Sequence, residues 1–262
     1  MIRLFCAALA LAGTLSLCGP ALADDGCPQH FLGGRAPVLT TPQPGAVELR
    51  SEAFVTLWSP ATRDPIYSAE YLTPACLTKA DHEVRLDAFH ADDRLPKGER
   101  AELSDYAGGP YDRGHLAPAH DMPSPTAMHE SFVLSNMIPQ APANNRGVWA
   151  QTETFTRRLV ILAREGYVVT GPVFTPVPGK AAPAPLAGRV HVPAQLFKAV
   201  FVPPSQFNPT GQVGAYLVDN TADAKPKVVS LDVVKALAGL DPFPSLSAVD
   251  HARADLPTVA GK

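Results

Sequence analysis

The apolar positions of this chain change period several times, and each change marks an element. Leu4 to Leu17 is a nearly continuous apolar run behind one charge at Arg3, followed by the small residues Ala21 and Ala23. A basic start, a short apolar stretch and an A-x-A-like site after Ala23 are the layout of a secretory signal peptide spanning residues 1–23. The run is too short and too abruptly ended for a membrane-spanning helix, and no other stretch approaches that length. Residues 24–51, rich in Gly, Pro and Thr, read as an extended arm. Phe54 to Trp58 and Ile66 to Leu72 are β-branched and aromatic runs on either side of the turn formers SPATRDP, which predicts a hairpin. In EVRLDAF, Val84, Leu86 and Ala88 alternate with Arg85, Asp87 and Phe89, which predicts a strand showing Arg85 to the outside. Residues 90–110 read as a charged loop punctuated by Gly and Pro.

From Asn145 the period lengthens. At about 100° per residue, Val148, Thr152, Phe155, Leu159 and Leu162 share the face expected to be buried, while Asn145, Trp149, Glu153 and Arg157 climb a neighbouring face with Arg146 on the same side. Strands return at Tyr167 to Phe174, Gln195 to Val202 and Gln212 to Asn220, the last two placed to pair. Ser230 and Gly239 bracket a short helix, and residues 246–262 carry no strong pattern and read as a loose tail. Prolines gather around Pro172 to Pro193 and Pro203 to Pro209, the composition of long surface loops.

Composition narrows the class. Removing the first 23 of 262 residues leaves 239, enough for one large domain over 24–262. The chain has 22 basic and 25 acidic residues, which argues against a passive nucleic-acid coat but leaves room for an enzyme with a local basic cleft. The signal peptide implies a periplasmic or secreted protein that leaves no membrane anchor behind. It also removes Cys6 and Cys18, so only Cys27 and Cys76 remain, and in an oxidising compartment two cysteines most simply pair.

Two windows carry the candidate chemistry. Tyr111 to Met122 packs Asp112, Arg113, His115, His120 and Asp121 into one short stretch, and Ser135 to Arg158 runs out of a Pro/Asn-rich loop into the helix carrying Asn145, Glu153 and Arg157. Phosphodiester cleavage needs a base, a cation and help for the leaving oxygen. His115 has the pKa range of a base, Arg113 the fork for a phosphate oxygen, and the Asn145 carbonyl the hard oxygen that suits magnesium. Glu153 could accept hydrogen bonds from the water around such an ion. A zinc hydrolase built on His115, His120 and Asp121 is an alternative, although the five-residue histidine spacing is not a usual zinc motif. On residue chemistry alone, Asp112 with Arg113 reads equally as a structural ion pair, and the helix as an ordinary surface helix.

DRGHLAPAHDM followed by LSNMIPQAPANNRGVWAQTE resembles the signature of the DNA/RNA non-specific endonucleases of the ββα-metal fold. The resemblance implies an α+β domain around a central antiparallel sheet flanked by helices and long loops. It implies that His115 is the general base and Asn145 the direct ligand of one Mg2+, with Mn2+ as a substitute. Arg113 and Arg157 would contact phosphate, Glu153 would position metal-bound water, Asn136 would support the site, and Arg85 resembles an assisting arginine on an earlier strand. DNA and RNA would be held through the phosphate backbone with little sequence preference. Members of that family often form homodimers. Loss of the chemistry with retention of the fold, giving a nucleic-acid binding module, is the other alternative.

Overall fold

The structure is a computed structural model, and it describes residues 30–206 and 208–259. The expected signal peptide and Cys27 lie outside the described residues. In chain order, β1 (Val38–Leu39), β2 (Val47–Arg50), β3 (Val55–Ser59) and β4 (Asp64–Leu72) lead to α1 (Pro74–Ala80) and α2 (Leu103–Tyr106). Then come β5 (Asp112–His115), α3 (Pro125–Ser131), β6 (Met137–Gln140), α4 (Ala150–Ala163) and the strands β7 (Gly166–Val173), β8 (Gln195–Val202), β9 (Gln212–Asp219) and β10 (Lys227–Val229). The chain ends through α5 (Leu231–Ala238), β11 (Leu240–Asp241) and α6 (Ala248–His251). Among the described residues no helix is long and apolar enough to cross a membrane.

Seven strands form one antiparallel sheet in the order β10-β9-β8-β7-β4-β3-β2. The expected hairpin is β3 with β4, and the two strands expected to pair are β8 and β9. Side-chain alternation divides each central strand between two cores. Val169, Phe197, Ala199, Val213 and Ala215 face α5, whereas Val168, Val200, Val202 and Tyr216 face α4. The α5 helix starts after Ser230 and stops at Gly239, whose φ of 66° is the left-handed stop that glycine tolerates.

Four expectations are corrected. Residues 83–89 form no strand and pair with neither edge strand of the sheet, β2 or β10, and Val84 is 75% exposed instead of buried by its alternation. The segment is pinned instead by Phe89 against Phe132 and by the Arg85 guanidinium over the Phe132 ring, at 5.1 Å. The helix from Asn145 begins as a π-helical turn, Asn144–Trp149, and only then becomes α4. That wider turn shifts the phase of the helix. The buried stripe of α4 is Thr152, Thr156, Leu159, Val160 and Ala163, and Leu162 is 69% exposed.

The proline-rich stretch is not all surface, since Pro172 pairs with Leu196 inside the sheet, and Leu186, Val190 and Val192 are buried. The tail is not loose within the described residues. α6 is capped by Ser247, the Asp255 carboxylate accepts from Val213 N at 2.7 Å, and Leu256 is buried. The arm, likewise, buries Phe31 and supplies β1 and the edge strand β2.

Candidate active site

The DRGH residues are β5 itself, paired antiparallel with β6 so that Gly114 lies opposite Ile138 and His115 opposite Met137. A Cβ at Gly114 would fall 2.0 Å from Gln140 Oε1, so only glycine lets Gln140 lie across the strand. Past His115 the backbone is held from below by Asn136. Its Oδ1 accepts from Ala117 N at 3.0 Å and its Nδ2 donates to the carbonyls of Ala117 and Ser131 at 2.9 and 3.0 Å. Leu116 N donates to the Asn136 carbonyl at 3.0 Å. Asn136 is thus wholly buried and acts on the loop, never on the solvent side.

Both windows open on one cavity of about 570 Å3, lined by Arg85, Arg113, His115, His120, Asn145 and Glu153. Phe89, Tyr106 and Tyr111 supply its aromatic wall. His115 is 8% exposed, lies edge-on to Phe132 at 5.0 Å, and has a buried Nε2 with no hydrogen-bond partner. Burial, then the positive charge of Arg85 and the nearby His120, push its pKa down to about 3, so the imidazole is neutral. The Arg113 guanidinium stacks 4.2 Å from the centre of the Phe89 ring, and its Nε lacks a partner. Arg85 donates to Asp87 at 2.8 Å.

On the opposite window, Asn145 Nδ2 donates to Asp112 Oδ2 at 3.0 Å, and Arg146 grips the same carboxylate with bonds of 2.8 and 2.7 Å. Partial burial opposes ionisation of Asp112, but the bonds from Arg146 and Asn145 outweigh it and hold its pKa below the usual range. The pairing of Asp112 is therefore with Arg146, not with its neighbour Arg113. Because the amide nitrogen is spent on Asp112, the carbonyl oxygen is the end of Asn145 left for the cavity. A single hard oxygen donor fits magnesium, which keeps most of its water and takes few protein ligands. Among the described residues no group of three or more His, Cys, Asp or Glu could hold a metal, so a zinc centre of His115, His120 and Asp121 has no ligand set.

Arg157 does not line the cavity. Its Nη1 lies 3.2 Å from Asp121 and its Nη2 donates to Thr154 at 3.0 Å. Behind the cavity wall, Glu70, Asp121 and Glu153 gather with Arg157 and Lys198. Burial, then Asp121, raise the Glu70 carboxyl well above the usual range, with Lys198 opposing, and neither oxygen of Glu70 has a partner. Burial also lifts Glu153 to about 7 against the pull of Lys198. Asp121 is raised by burial, opposed by Arg157 and Lys198. Lys198 and Glu70 were not legible as site residues. The available signal was a charged residue in the middle of an otherwise apolar strand, in QLFKAVFV and in IYSAEYL.

A seven-stranded antiparallel sheet with a separate β5-β6 ribbon followed by α4, DRGH on the first strand of that ribbon and Asn145 at the head of the helix, defines a nuclease of the ββα-metal fold. Residues 34–249 match the DNA/RNA non-specific endonuclease family, and the chain belongs to it. It is 33% identical over 216 residues to a mitochondrial nuclease 1 of Schizosaccharomyces pombe, covering 76% of this chain and 67% of that one. It is 36% identical over 212 residues to nuclease C1 of Cunninghamella echinulata var. echinulata, covering 76% and 83%. In structure it resembles the EndoG/EndoGI complex, with a TM-score of 0.70 and 24% identity over 84% of this chain and 95% of that one, a likeness of fold.

Proposed function

We propose that this endonuclease hydrolyses DNA and RNA with His115 as general base and one magnesium ion held through Asn145. The observation that carries the reading is the pairing of two prepared groups in one cavity: a neutral, unpartnered imidazole nitrogen on one wall, and an asparagine oxygen released by the Asp112 contact on the other. The ion, when bound, supplies positive charge where negative charge develops on the phosphate. His115 takes the proton of the attacking water at Nε2. Arg113 and Arg85, both on the cavity wall, hold phosphate oxygens. Glu153 accepts hydrogen bonds from cavity water as a carboxylate. Arg157 acts one step back, fixing Asp121 under the wall. The contacts fall on backbone phosphate, which carries little sequence information.

We also infer export, to the periplasm or beyond, from the signal-peptide pattern of residues 1–23, with Cys27 and Cys76 joined in the mature chain. The catalytic reading is tested by plasmid cleavage with wild type and His115→Ala, each with magnesium and with chelator. Wild type with magnesium is expected to nick and degrade the plasmid. His115→Ala, folded by circular dichroism, is expected to lose roughly 100-fold or more in rate. Binding without cleavage by wild type would instead make the chain a nucleic-acid binding module.

A further inference from the structure

One buried cation is used by none of the steps above. Lys198 sits mid-way along β8, a central strand, and is 1% exposed. It belongs to a row of polar residues crossing the sheet, each opposite the next: Thr56, Ser68, Thr170, Lys198 and Tyr216. All five are buried. Such a buried row is costly unless each member is bonded; the Tyr216 hydroxyl donates to the Pro257 carbonyl, and the bonds of the other four run toward the site. Thr56 and Ser68 share a bond at 2.8 Å, and Ser68 donates to Asn136 Oδ1 at 2.8 Å, the same oxygen that holds Ala117 N.

Lys198 makes the second upward connection. Its Nζ donates to Thr170 Oγ1 at 2.7 Å and reaches the carbonyl of Leu116 at 3.5 Å, the residue after His115. On its other side Nζ lies 5.6 Å from the centre of the Trp149 ring, which belongs to the π-helical turn carrying Asn145. One ammonium therefore touches the sheet, the base segment and the cation segment together. Sliding either segment would strip a buried charge of a partner, a change far more costly than losing a surface contact.

We propose that Lys198 is a positioning residue that references His115 and Asn145 to the sheet and so fixes the distance between base and cation site. This rests on the reading of His115 as base and Asn145 as the magnesium ligand. A contact of this kind acts on reacting geometry and leaves substrate binding alone, since phosphate is held by Arg85 and Arg113 on the cavity wall. The test is Lys198→Met, which keeps length and removes the charge, assayed beside wild type and His115→Ala at saturating magnesium and on the alkaline plateau of each rate profile, where Glu153 is a carboxylate with or without the Lys198 charge. A folded Lys198→Met with kcat reduced roughly 10- to 100-fold and KM unchanged is the expected result. A folded variant with kcat within about twofold of wild type, or a loss carried by KM alone, overturns the proposal.

If Lys198→Met does not fold, Thr170→Val removes the hydroxyl holding Nζ with little change of shape. It should lower kcat by about threefold or more at constant KM, and an unchanged kcat overturns the proposal. The His115→Ala arm separates the two failures. Full activity in His115→Ala removes the base and the positioning role with it, whereas an inactive His115→Ala beside a fully active Lys198→Met removes only the latter.

Discussion

His115 and Glu153 face the same cavity, yet burial moves them in opposite senses, the imidazole down to about 3 and the carboxyl up to about 7. Each shift favours the neutral form. For His115 that is the form the proposed base role requires, and it holds across the whole physiological range. For Glu153 it is not, because only the carboxylate accepts hydrogen bonds with both oxygens. The acid limb of the rate profile therefore belongs to Glu153: kcat should rise as pH passes through about 7. A bound cation favours the carboxylate, so the limb should move to lower pH as magnesium is raised. Profiles of wild type and Glu153→Gln at two magnesium concentrations check this, and an identical acid limb in the variant would assign it elsewhere. His115, Arg113 and Asn145 were legible because their residue types announce a chemistry. Asp112 was legible as a charge but not in its partner, since the sequence offers adjacent Arg113 while the fold supplies Arg146 from the π-helical turn ahead of α4.

At the scale of elements, β4 carries a cost that the pH dependence of stability should reveal. Glu70 is wholly buried with both oxygens unpartnered, and its pKa in the fold lies well above the ordinary carboxylate value. The folded chain therefore keeps a proton that the unfolded chain has already lost above about pH 4.5. Stability falls as pH rises through that interval, by up to about 1.4 kcal/mol per pH unit. Glu70→Gln removes the titration, and its unfolding free energy should stay flatter than that of wild type between pH 5 and pH 8. Denaturant melts at the two pH values decide it, and parallel losses in both proteins would show that Glu70 is not the group responsible. The hairpin, the three later strands and α5 were legible because their periods match their burial. The strand expected at 83–89 was not, because alternation describes a side-chain pattern and says nothing of whether a backbone partner lies alongside. The π-helical turn was missed for a related reason: a fixed 100° step cannot register a local widening. Leu162 was misplaced within the regular part of α4, where apolar character favoured it over the polar but buried Thr156.

For the whole molecule, the question is what ties the N-terminal arm to the body that carries the site. Within the described residues the arm is held by Phe31 in the core beneath α5, by the Ser245 hydroxyl donating to the Leu32 carbonyl at 2.9 Å, and by β1 against β11. Cys76 lies buried in the first turn of α1, where Thr73 accepts from Cys76 N at 3.2 Å. Leu77, the next residue, packs with Leu159, Val160 and Ala163 of α4. A bond from Cys27 to Cys76 would therefore anchor the arm beside the helix that presents Glu153. Closing a loop of roughly 50 residues is worth about 4 kcal/mol in the chain-entropy picture. At about 2–4 °C per kcal/mol for a domain of this size, that corresponds to on the order of 10 °C in Tm. Thermal melts of the mature chain with and without reductant, beside Cys27→Ser, measure it. The expected result is that reductant and Cys27→Ser lower Tm alike and that reductant does nothing further to the variant. An unchanged Tm under full reduction would remove the tie, and with it the support that paired cysteines lend to an exported enzyme.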